Sequence, residues 1–125
     1  MDISSLELTK KIASILDSKK AMEIEAIHVR DLTIIADYFI IASGTSNTQV
    51  KALADEIDFQ LSQIGIKPTR VEGYNTATWI LLDYANVLVH VFQQGTRDFY
   101  SLERLWSDGE KLDLSDVISH ENNNK

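Results

Sequence analysis

With 125 residues, 44% of them hydrophobic, the chain has the size and apolar content of one domain with a buried core, and no apolar run is long enough to span a bilayer. A formal charge of −7 makes the whole-molecule field repel a nucleic-acid backbone and suits a basic protein partner better. The absence of cysteine excludes disulfides, thiolate nucleophiles and sulfur-ligated zinc, and the opening MDISSLELTK lacks the basic start and apolar stretch of a secretory signal, so a cytoplasmic protein is expected.

Ser4 and Glu7 have the spacing of a capping box, and Leu6, Ile12, Ile15 and Leu16 follow at helical intervals, which predicts a first helix reaching Lys20. Two strands follow, one around Ile24, Ile27 and Val29 and a denser one over Tyr38 to Ala42. Ser46 and Gln49 form a second capping box, and Val50, Leu53, Ala54, Ile57, Leu61 and Ile64 mark the stripe of a helix that stops at Gly65. Pro68 leads into a short strand over Thr69 to Gly73. Trp79 to Asp83 and Val87 to Phe92 then read as an antiparallel hairpin around Tyr84, Ala85 and Asn86. Both alternating faces of "VLVHVF" are apolar, so that strand is expected at the centre of the sheet. Thr96 caps a last short helix carrying Phe99, Leu102, Leu105 and Trp106, after which the chain turns acidic and ends in ENNNK, the composition of a flexible tail.

The loop "SGTSNTQ" lies between a strand and a helix, the context of a phosphate site, but it lacks the lysine of a Walker loop and the three glycines of a dinucleotide fingerprint. Ser46 and Gln49 already have work as helix caps, and Gly44 can serve simply as a turn residue. Asp37 and Asp83 are isolated on their strands, without the alternate-residue acidic partner that a two-metal site requires. His28, His90 and His120 are scattered and lack the spacing of a zinc pair, and no serine sits in a G-x-S-x-G elbow. His90 alternates with Leu88 and Phe92, which favours a hydrogen-bonded structural histidine. Trp79, Leu81 and Asp83 share one strand face, joining a large aromatic to a carboxylate as interfaces do. Arg97, Tyr100, Glu103 and Arg104 cannot all lie on the buried stripe of the last helix.

The run "VEGYNTATWILLDYANVLVHVF" followed by "RDFYSLERLW", together with "DYFIIASGTSNTQVKALADEI", resembles the ribosomal silencing factors, also called the Iojap or RsfS family, over roughly residues 24 to 107. The resemblance implies a single α/β domain over residues 1–107, a mixed sheet of about five strands with flanking helices, similar to nucleotidyltransferases but without their catalytic acidic cluster. Residues 108–125 would form the acidic tail. It implies a binding module rather than an enzyme, with no cofactor and no metal.

Members of that family bind the large ribosomal subunit through the fourteenth large-subunit protein of the universal scheme and obstruct joining of the small subunit, which represses translation. Carried over residue by residue, the motif implies partner contacts by Trp79, Asp83, His90, Arg97, Tyr100, Leu102, Glu103 and Trp106, with Phe99 and Leu105 in the core. A homodimer is also implied, with no free nucleic acid and no membrane as partner. The competing expectation is a nucleotide-binding or nucleotidyl-transferring enzyme that uses the 43–48 loop.

Overall fold

The structure is a computed structural model that describes residues 3–29, 36–96 and 109–118. Its first element, helix α1 (Ser5–Ser18), starts where the Ser4 hydroxyl accepts from the Glu7 N–H at 3.0 Å while the Glu7 carboxylate accepts from the Ser4 N–H at 3.2 Å. This is the reciprocal box read from the sequence. The helix closes with Lys20 at φ 66°, where its N–H reaches the Asp17 carbonyl and that of Ala21 reaches Leu16. A lysine thus occupies the left-handed position usually given to glycine.

Strands β1 (Met22–His28) and β2 (Tyr38–Gly44) pair antiparallel, with an irregularity between Met22 and Glu25 where Glu23 also takes a positive φ. Helix α2 (Asn47–Ser62) follows, burying Val50, Leu53, Ala54, Ile57 and Leu61 as the stripe requires. The short strand β3 (Arg70–Glu72) leads to the hairpin of β4 (Trp79–Asp83) and β5 (Val87–Gln93). A further strand, β6 (Glu110–Lys111), comes from the C-terminal region.

Among the described residues the six strands form one mixed sheet in the order β3-β4-β5-β2-β1-β6. The β2 and β5 pair is parallel and the other pairs are antiparallel. The apolar character of both faces of β5 thus has its cause: it pairs with β4 and β2, and Val87 through Phe92 are all buried. On one face Ile40, Ala42, Ile80, Leu82, Val89 and Val91 pack with α1 and α2 in the main core. On the other face Ile27, Val29, Phe39, Ile41, Leu88 and Phe92 form a second cluster, against which Trp79 and Leu81 pack partly buried.

The mixed sheet of about five strands expected from the sequence is present, with six strands among the described residues, the sixth coming from residues 109–118. Lys111 pairs with Ile27 in β1, the Leu112 N–H reaches the Ala26 carbonyl, and Leu114 and Ile118 are buried in the main core. Lys10 on α1 adds a 2.8 Å ion pair to Asp116. The acidic composition of this stretch masked apolar residues whose spacing suits an extended segment followed by a turn. The expected last helix starts before Thr96, since residues 94–96 are already helical and Thr96 is not its cap; the proposed contact residues Arg97, Tyr100, Leu102, Glu103 and Trp106 lie outside the described residues.

Candidate partner-binding face

The hairpin that carries the candidate residues is closed by a three-residue loop. Ala85 sits there at φ 71°, the Tyr84 N–H reaches the Val87 carbonyl at 3.0 Å, and the Asp83 Oδ1 accepts from the Ala85 N–H at 2.8 Å. The carboxylate therefore turns the chain locally before it meets any partner. Strand alternation does the rest: Ile80 and Leu82 are buried in the main core, while Trp79, Leu81 and Asp83 lie half-buried on the opposite face.

Trp79 and His90 meet on that face. The indole Nε1–H donates to His90 Nδ1 at 3.0 Å, and the indole stacks on Phe92 with centroids 4.9 Å apart and planes 28° apart. His90 in turn packs at 5.2 Å from the ring of Phe39. It is 7% exposed, and burial pushes its pKa down to about 4. Protonation would also place a second donor against the indole N–H, which can only donate. His90 is therefore neutral, with its proton on Nε2, and that atom is buried without a partner among the described residues.

The family resemblance implied Asp83 as a contact to a partner that the chain's charge suggests is basic. The chain itself already supplies a basic side chain: Arg70 of β3 donates from Nε to Asp83 Oδ2 at 3.1 Å and from its terminal nitrogen to Glu72 at 2.7 Å. Sequence reasoning missed Arg70 because its place opposite Asp83 depends on β3 pairing with β4. It also missed Gly73, which lies at φ +78° with Trp79's carbonyl oxygen where a side chain would begin. The sequence signal for Gly73 was only its place at the end of a strand.

The 43–48 loop is occupied by its own side chains. Ser46 Oγ accepts from the Gln49 N–H at 3.1 Å, as a cap should. The Gln49 side chain does not complete the box; its Oε1 accepts instead from the N–H and hydroxyl of Thr45, at 2.6 and 2.9 Å. Gly44 is outside the left-handed region, and close approach to Val50 and Gln49, 3.2 to 3.3 Å from where a Cβ would stand, accounts for it. Among the described residues no three His, Asp or Glu side chains converge as a metal site, and no helix is long and apolar enough to cross a membrane.

Residues 2–125 match the model of a family described as "Ribosomal silencing factor during starvation". The chain belongs to the ribosomal silencing factor family. It is 39% identical to the Halalkalibacterium halodurans ribosomal silencing factor RsfS, covering 94% of this chain and all of that one. It is 40% identical to the Bacillus subtilis protein of the same name over 86% of this chain and 91% of that one. A mouse protein named for mitochondrial assembly of the ribosomal large subunit is 27% identical over 77% of this chain and 43% of its own length. A crystal structure of a Chromobacterium violaceum protein superposes with a TM-score of 0.82 at 33% identity, covering 90% of this chain and 93% of that one. One from Bacillus halodurans gives 0.73 at 36% identity, covering 87% and 96%.

Proposed function

We propose that this protein binds the large ribosomal subunit, through the fourteenth large-subunit protein of the universal scheme, and blocks joining of the small subunit, thereby repressing translation. The observation that carries this reading is membership of the ribosomal silencing factor family over nearly the whole chain. The name of the mouse relative, which ties that protein to large-subunit assembly, supports the same partner.

In this reading the Trp79, Asp83 and His90 face forms one patch with Arg97, Tyr100, Leu102, Glu103 and Trp106. Trp79 and Tyr100 serve as aromatic anchors, and the carboxylates answer a basic ribosomal protein. The protein acts in the cytoplasm by occupancy rather than catalysis, and it forms a homodimer when free.

Co-sedimentation with isolated large subunits, combined with a subunit-joining assay, tests the proposal. Binding that raises the fraction of unjoined subunits is expected, and a chain that stays in the supernatant contradicts it. Light scattering at tens of micromolar protein tests the dimer, which a monomer mass would remove.

A further inference from the structure

Three of the contacts that hold Trp79 restrain different freedoms. Its backbone abuts Gly73, at a distance that leaves no room for a side chain there. Its ring lies on Phe92. A ring stacked on Phe92 can still turn over about its Cβ–Cγ bond, which keeps the stacked plane but carries the N–H to the opposite edge. A directional restraint is the 3.0 Å hydrogen bond from the indole Nε1–H to His90 Nδ1, which holds one of those two orientations.

The arrangement is costly for stability alone. His90 is buried, and satisfying the indole with Nδ1 leaves its protonated Nε2 without a partner among the described residues. A buried donor left unsatisfied costs more than an apolar group of the same shape. A position flanked by Phe39 and Phe92 would suit a phenyl ring better if packing were its only task.

We propose that His90 is a positioning residue: through its Nδ1 acceptor it fixes which way round the Trp79 indole meets the partner, without touching the partner itself. This rests on the reading of Trp79 as an anchor for the large subunit. It assigns His90 a role through Trp79 in place of a direct contact.

The test uses the full chain, ¹⁵N-labelled, with the variants His90→Phe, His90→Asn, Trp79→Phe and the double variant Trp79→Phe/His90→Phe. In the parent, a nitrogen–nitrogen coupling across the hydrogen bond connects the Trp79 indole to His90 Nδ1. Large-subunit affinity falls about tenfold in His90→Phe, the scale of one lost orienting hydrogen bond, while its unfolding midpoint is unchanged or raised. Asparagine, whose carbonyl oxygen replaces the Nδ1 acceptor, restores most of that affinity. The double variant binds no more weakly than Trp79→Phe, because the donor is already gone.

Absence of the coupling overturns the proposal, as does His90→Phe binding like the parent, or losses that multiply in the double variant. Should His90→Phe fail to fold, His90→Leu against His90→Asn carries the same comparison. A parent chain that does not bind large subunits would instead bring down the functional reading on which this one stands.

Discussion

At the residue scale, Trp79 and Asp83 separate structural from interfacial work. Trp79→Ala removes a half-buried ring stacked on Phe92 and is expected to cost about 3 kcal/mol of folding stability. A hot-spot role adds a loss of about 2 kcal/mol in large-subunit binding, roughly thirtyfold, measured on folded protein. Asp83→Asn is the cleaner probe, since its carbonyl can still accept from the Ala85 N–H while the charge facing Arg70 is gone. Stability should stay within about 0.5 kcal/mol, because the Arg70 pair is exposed on the arginine side. Weakened binding by this variant therefore reports the charge itself, and unchanged binding removes Asp83 from the patch. His90 adds a pH dependence. Its folded pKa, about 4, lies below the ordinary 6.5, so the unfolded chain takes up its proton first as pH falls. The contribution of neutral His90 is intact above about pH 6.5 and is lost progressively down to about pH 4, a total of about 3 kcal/mol. Urea unfolding at pH 7 and pH 5 should show the parent losing about 2 kcal/mol more than His90→Phe; equal losses contradict a buried neutral histidine.

Single elements differ in how far the sequence disclosed them. Helices α1 and α2 were legible because their caps and stripes are local: Ser4 with Glu7, and Ser46 ahead of Val50 to Leu61, act over one or two turns. The hairpin was legible for the same reason, its loop being three residues long. What escaped depends on distant pairing. The partner of Asp83 follows from β3 lying beside β4, and the Gln49 side chain chose Thr45 over the Ser46 N–H, an alternative that capping spacing cannot decide. The Trp79 to His90 bond needs the diagonal register of β4 against β5, although strand alternation had placed each residue on its own face. The burial of Leu114 and Ile118 in the 109–118 segment makes a prediction. Leu114→Ala should cost about 2 to 3 kcal/mol in denaturant unfolding, as a core leucine does. A change below about 0.5 kcal/mol would return the segment to the status of a tail.

For the whole molecule, the charge of −7 and the location of the candidate patch bear on how a small acidic chain can hold a ribosomal particle. Its overall field opposes the RNA, so affinity must come from local complementarity to a basic protein and from a few aromatic anchors. The sheet supplies the platform. One face is closed by α1 and α2, and the other presents Trp79, Leu81 and Asp83 at the β4 side of a second apolar cluster. The most direct measurement adds the purified chain to separated large and small subunits and follows the joined fraction by gradient sedimentation, with Trp79→Ala as the paired control. The account predicts that the parent sediments with the large subunit and lowers the joined fraction in proportion to occupancy, and that the folded Trp79→Ala variant does neither at the same concentration. Joining that proceeds equally with and without saturating parent protein would contradict it.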